Sequence, residues 1–88
     1  MNYPIYTASR FKLYCISPYV SFQLFPNYSI IHNNKSEIIL KVNINCNKIK
    51  NIISFFNQPS SLDLFFELNN TLEDKEIISQ LINYGVIE

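Results

Sequence analysis

The residues that most often do chemistry in proteins are few in this chain of 88 residues, and they lie far apart. His32 is the only histidine, and Cys15 and Cys46 are the only cysteines. A zinc site needs several such ligands at short spacings, and a nucleophile needs a base placed beside it. The single glycine is too little for a phosphate-binding loop. We therefore expect no enzymatic activity, no metal and no cofactor, and a lone histidine that is solvated or satisfied in the core.

The charges argue against nucleic acid and membrane surfaces as partners. Seven Lys and Arg residues balance seven Asp and Glu residues, so no net field attracts phosphate backbones or anionic lipid. The last predicted helix opens with Glu73, Asp74, Lys75 and Glu76, whereas a helix that reads DNA presents basic and amide side chains there. The acids have an ordinary role beside the positive end of the helix dipole. DNA binding is therefore an alternative and not the leading hypothesis.

The cysteines and the start of the chain indicate a soluble cytoplasmic protein. Cys15 and Cys46 have no CxxC spacing and no secretory leader beside them, so we expect reduced, partly buried thiols, with a disulfide as the alternative. The first ten residues, MNYPIYTASR, lack a basic region followed by a hydrophobic stretch. No apolar run approaches the roughly 20 residues that span a bilayer.

The first half of the chain has the patterns of strands. Alternation over 10–17, with Phe11, Leu13 and Cys15 on one face, predicts a half-buried strand. Residues 20–25 lie between two prolines, which favours an edge segment or an extended connection. Two β-branched runs at 28–33 and 37–43 flank the polar stretch from Asn33 to Ser36 and predict a hairpin.

The second half has the patterns of short helices. Apolar residues recur at helical spacing, and Asn, Ser or Thr stands at each predicted start. Asp63 follows Ser60 and Asp74 follows Thr71 at the spacing of a capping box, and Gly85 is placed to end the last helix. The predicted helices lie at 48–57, 61–69 and 72–84, and the predicted N-caps are Asn47, Ser60 and Thr71. Together with the strands they predict a single α+β domain.

The strand at 37–43 follows a hairpin and precedes the helices, so we expect it at an edge of the sheet. An edge leaves one row of backbone N–H and C=O groups unpaired, and an extended peptide can add a strand there. Ile38, Leu40 and Val42 alternate with Ile39 and Lys41. The sequence leaves open which of these two faces meets the helices.

The layout of the whole chain resembles a known family. The segment KIKNIISFFNQPSSLDLFFELNNTLEDKEIISQLINYGVIE resembles the helical half of the RiPP recognition element. That domain is a winged helix-turn-helix with a three-stranded sheet and three helices, and it binds leader peptides of ribosomally made, post-translationally modified peptides. The strands FKLYCIS, YSIIHN and EIILKV agree with its three-stranded wing.

The resemblance implies a non-catalytic module in the biosynthesis of a bacteriocin-like natural product. A precursor's leader peptide would add a strand beside 37–43, in a groove walled by the third helix, and be presented to a modifying enzyme. Lys41 and Lys75 would pair with leader carboxylates. A free-standing protein is the simpler expectation, and an excised domain the alternative. The implied peptide-binding residues are Ile38, Ile39, Leu40, Lys41, Val42, Lys75, Ile78, Ser79 and Ile82.

Two other functions remain open at this point. A winged-helix regulator would bind DNA in a salt-dependent way. A small structural subunit would form a homodimer through its Phe-rich second helix, and this is compatible with peptide binding because an edge strand can also pair with its own copy.

Overall fold

The structure is a computed structural model that describes residues 12–88. Strands dominate the first half of this part and helices the second, which confirms the α+β class. A short strand also lies between the first two helices, so the order differs from the predicted three strands followed by three helices. In chain order the elements are β1 (Leu13–Tyr14), β2 (Val20–Phe25), β3 (Tyr28–Asn33), β4 (Ile38–Val42), α1 (Cys46–Phe55), β5 (Ser60–Ser61), α2 (Leu62–Leu68) and α3 (Leu72–Asn83).

The main sheet is an antiparallel meander of three strands in the order β2-β3-β4. Pro26 and Asn27 form the turn between β2 and β3, because Phe25 pairs with Tyr28. The predicted hairpin is observed between β3 and β4, with four residues in its turn, and Glu37 at the end of that turn adopts a left-handed φ of 60°. The central strand is therefore β3, and both β2 and β4 are edge strands.

The strand predicted over 10–17 is present only in part among the described residues, it does not belong to the three-stranded sheet, and residues 10 and 11 lie outside the described part. Only Leu13 and Tyr14 form a strand, and they pair with Ser61 and Ser60. Ile16 makes an isolated bridge with Ile87. The third strand of the main sheet is instead β2, at 20–25. A two-residue turn joins β2 directly to its partner strand β3. Alternation in 10–17 predicts an extended backbone but does not specify its neighbour.

The three predicted helices are present with small shifts at their ends. α1 begins after Asn45, whose side chain accepts a hydrogen bond from the backbone N–H of Asn47 at 2.7 Å, so Asn47 is not the cap. α2 is capped by Ser61 and not by Ser60. The prediction for α3 is confirmed at both ends, with a capping box between Thr71 and Asp74 and a left-handed Gly85 after the helix.

The hydrophobic core lies between one face of the sheet and the three helices. Ile31 of β3 and Val42 of β4 are buried on that face. The predicted stripe of α1 is observed, with Ile49, Ile52 and Phe56 buried. The fully or nearly fully buried apolar residues are Ile31, Val42, Ile49, Ile52, Phe56, Phe65, Ile77, Ile78, Leu81, Val86 and Ile87. Because no single helix is long enough to be stable alone, packing on this core holds them.

A buried amide joins the β3–β4 turn to the end of α3. The Nδ2 group of Asn33 donates to the carbonyl of Tyr84 at 3.0 Å, and Oδ1 accepts from the backbone N–H of Lys35 at 3.0 Å. A Cβ atom on Gly85 would lie 3.1 Å from this Nδ2. The positive φ of Gly85 and the close approach of Asn33 therefore favour glycine at this position.

The first turn of α3 is stabilised by an acidic cap. The Thr71 hydroxyl donates to Oδ2 of Asp74 at 2.6 Å, and the backbone N–H of Asp74 donates to the Thr71 Oγ1 at 3.1 Å. The hydrogen bond from the Thr71 hydroxyl lowers the pKa of Asp74, and the Thr71 N–H and Lys48 add to this. The carboxylate is thus held in its charged form beside the positive end of the helix.

Asn33→Ala should lower the free energy of unfolding by about 1 kcal/mol, because it removes the side-chain hydrogen bonds to the backbone of Tyr84 and Lys35. Urea denaturation followed by circular dichroism measures the change. Asn34→Ala is the matched control, since Asn34 lies one position away with an exposed side chain. Equal effects of the two substitutions would contradict the role of the buried amide.

Asp74→Asn should lower the stability at pH 7 by about 1 kcal/mol, because it removes a charge that favours the helix start. The folded-state pKa lies below the ordinary value of 3.8, so the stabilisation is present above pH 3.8 and is lost as the pH falls through the folded-state pKa. Denaturation of both proteins between pH 7 and pH 2 should show the gap closing at acidic pH. A gap that stays constant would refute the assignment.

Candidate functional site

The hydrogen-bonding phase of the sheet decides which backbone groups of β4 face outward. Val20 lies opposite Asn33, and the N–H of Asn34 donates to the carbonyl of Tyr19 at 2.9 Å. In an antiparallel ladder a bond between these flanking residues makes Val20 and Asn33 a non-hydrogen-bonded pair. The backbone groups of Asn33 therefore point away from β2 and toward β4.

The same alternation continues into β4. Asn33 and Ile31 lie opposite Ile38 and Leu40, so these β4 residues use their backbone groups to bond β3. The N–H and C=O groups of Ile39 and Lys41 then point to the outer side of β4. Among residues 12–88 no backbone or side-chain group bonds to them. Two pairs of strong donors and acceptors are thus free within the described chain.

The two faces of β4 differ in burial, which answers the question that the sequence left open. Val42 is buried, Leu40 is half-buried and Ile38 is 36% exposed, so this face turns toward the helices. Ile39 is 67% exposed and lies on the opposite face. Lys41 shares that face, and its ammonium lies 4.8 Å from the centre of the Tyr28 ring. The lysine is therefore directed away from the helices.

A groove separates the end of β4 from one side of α3. We call it the β4–α3 groove, and its volume is about 250 Å³. Both the strand side and the helix side contribute polar and apolar residues to it. Its lining residues are Lys41, Val42, Asn43, Ile44, Glu73, Glu76, Ile77 and Gln80. A peptide that paired with the free edge of β4 would lie along this groove.

The predicted binding residues of α3 lie on the other side of the helix. Lys75, Ile78, Ser79 and Ile82 line a separate, mostly apolar groove together with residues of α2. Ile78 is only 1% exposed and belongs to the core. The sequence predicted that these four residues and β4 would line one groove. The structure places the four residues in a different groove from the one that β4 lines. It brings Ile38, Ile39, Leu40, Lys41 and Val42 together in the edge strand.

The residues of α3 that do face β4 were missed by the sequence analysis. Helical spacing places Glu73, Ile77 and Gln80 on one flank and Lys75, Ile78 and Ile82 on the other, on either side of the buried centre of the helix. Both flanks are mixed polar and apolar, so periodicity does not distinguish them. Which flank meets β4 is therefore a tertiary property that the sequence pattern does not specify.

An ion-pair cluster supports the helix wall of the groove from α1. The ammonium of Lys48 lies 2.7 Å from Oε1 of Glu73 and 3.3 Å from Oδ1 of Asp74. The hydrogen bond with Glu73 is the main cause that raises the pKa of Lys48. Since the Lys48 side chain is 37% exposed, solvent screens the pair and its contribution to stability is small. Glu76, one turn along the wall, has no ion-pair partner within residues 12–88.

The histidine and the two cysteines do not line the β4–α3 groove. His32 is half-buried on the outer face of the sheet, and Cys15 and Cys46 are free and partly buried, as predicted for reduced thiols. Residues 12–88 contain no group of three or more metal-ligating side chains. No helix in this range has the length and the apolar character needed to cross a bilayer.

Comparisons of the chain with protein-family profiles, with curated proteins and with solved structures find no match.

Proposed function

We propose that this protein is a non-catalytic module that captures an extended peptide by adding it as a strand to β4. The single observation that carries the proposal is the pair of outward-facing residues, Ile39 and Lys41, whose backbone groups have no partner within residues 12–88. An exposed edge of this kind is normally blunted or used to receive another chain. The neighbouring β4–α3 groove provides room for the side chains of the guest.

The guest that fits the proposal is the leader segment of a ribosomally made precursor peptide, which the module would present to a separate modifying enzyme. Its support is the resemblance of layout to RiPP recognition elements, in which the leader pairs with the third strand beside the third helix. In support, β2, β3 and β4 precede α1, α2 and α3, although β1 precedes this sheet and the short strand β5 lies between α1 and α2, so the full order of elements differs from three strands followed by three helices. We propose that they form a winged helix-turn-helix with β4 as the receiving strand.

A titration tests this function. A fluorescently labelled leader from any precursor peptide encoded in the same gene cluster should bind with an affinity between nanomolar and micromolar, measured by anisotropy. The leader is expected to be disordered when free and ordered when bound. A folded protein that shows no saturable binding would refute the proposal.

Ile39→Pro should abolish leader binding while leaving the fold intact. Proline removes an outward N–H, which β3 does not use, and proline is tolerated at the edge of a sheet. The side chain of Ile39 is largely exposed, so little packing is lost. Anisotropy measures binding, and the melting temperature reports on the fold.

Two controls separate the backbone from the side chain. Ile39→Ala keeps the N–H and should retain most of the affinity. Leu40→Pro removes an N–H that bonds to β3 and should unfold the protein. Full binding by Ile39→Pro would contradict strand addition at β4.

A second candidate function is that of a self-associating subunit, and exposed leucines favour it. Leu64 and Leu68 of α2 are 50% and 73% exposed, and Leu72 at the start of α3 is 72% exposed. Leucines this exposed in a neighbouring stretch of chain are typical of an interaction surface. This surface is separate from β4, so self-association and peptide capture are compatible.

Leu68→Glu tests the second function. If the leucines form an interface between copies, the wild-type protein should sediment above the 10.3 kDa of one chain at high concentration, and the variant should sediment as a monomer. Tyr19→Glu is a control that adds the same charge, since Tyr19 is 50% exposed beside the β3–β4 turn, where its carbonyl accepts from the N–H of Asn34. A wild-type mass of 10.3 kDa at all concentrations would exclude the subunit function.

A further inference from the structure

The helix wall of the β4–α3 groove is acidic. Glu73 and Glu76 both line it, with Gln80 one turn further along α3. Lys48 lies 2.7 Å from Glu73 and largely satisfies that carboxylate. Glu76 is exposed and has no ion-pair partner within residues 12–88. One carboxylate thus faces the groove without a cation beside it.

The lysine that lines the same groove does not offset this charge. Lys41 is on the strand side, but its ammonium lies over the Tyr28 ring at 4.8 Å, on the face of the sheet opposite to the helices. Lys75, the lysine of α3, lines the groove between α2 and α3. The excess of negative charge therefore lies where a guest strand would pass.

The opposite end of β4 has a cation in its hollow. Near Ile38, a second hollow is lined by Lys35 as well as by Glu88. The exposed carboxylate of Glu76 lies at the other end of the edge, near Lys41 to Ile44. A preference for guest charge should therefore be local and not spread along the whole peptide.

We infer that the guest peptide carries a basic residue, Lys or Arg, which lies beside Glu76 when the peptide is paired with β4. The inference rests on the proposed strand addition and names the chemistry of its ligand. It replaces the expectation that Lys41 and Lys75 bind leader carboxylates, because neither ammonium faces the groove. Charge complementarity at one position gives the module a means to choose among extended peptides, which otherwise offer the same backbone groups.

The test is a charge exchange between protein and peptide. Glu76→Lys should weaken binding of the labelled leader at least tenfold at low salt. A leader in which the single basic residue beside the groove is replaced by Glu should bind the wild-type protein at least tenfold more weakly, and should regain affinity with Glu76→Lys. Glu67→Lys is the matched control, because it makes the same change of charge on an exposed position of α2.

The outcomes separate the inference from the function on which it rests. If the wild-type protein does not bind the leader, strand addition fails and the inference fails with it. If the leader binds and Ile39→Pro abolishes binding, but Glu76→Lys has no more effect than Glu67→Lys, the function stands and the inference is overturned. Recovery of affinity in the exchanged pair supports the inference, since a purely structural effect of the Glu76→Lys substitution would not be rescued by the peptide.

Discussion

Backbone N–H and C=O groups need hydrogen-bond partners, and those of the two outward-facing residues of β4 have none within residues 12–88. The phase of the ladder fixes which residues these are, because the bond from Asn34 to Tyr19 makes the alternation run through β3 into β4. If the backbone groups of Leu40 pointed outward instead of those of Ile39 and Lys41, every side chain of β4 would lie on the other face of the sheet. Burial of Val42 opposes that shift.

Contacts at both ends of α3 and at its buried centre hold the helix in position. Asn33 ties the β3–β4 turn to the carbonyl of Tyr84 at one end of the helix, and Lys48 ties α1 to Glu73 and Asp74 at the other. The buried residues Ile77, Ile78 and Leu81 hold the centre. These contacts keep the helix at a fixed place beside the edge strand, so the groove is formed without a bound peptide. A preformed groove would lower the cost of the binding that we propose.

Local signals in the sequence predicted the elements whose causes are local. The β3–β4 hairpin turn, the capping box of Thr71 and Asp74, and the stop at Gly85 all act over a few residues. The structure has each of them, with the turn at 34–37, one residue later than the polar stretch from Asn33 to Ser36. Local signals did not predict the pairing of residues that are distant from each other in the chain. Residues 13–16 are extended as expected, but their partners are Ser61, Ser60 and Ile87, which no period-two pattern identifies. The flank of α3 that meets β4 was missed for the same reason.

Amide hydrogen exchange of the free protein, resolved by NMR, tests the central claim most directly. The N–H groups of Leu40 and Val42 bond to β3 and should exchange slowly, whereas those of Ile39 and Lys41 should exchange at rates close to those of an unstructured chain. Slow exchange of all four amides would show that the outer side of β4 is already occupied, and would contradict a free edge that waits for a peptide.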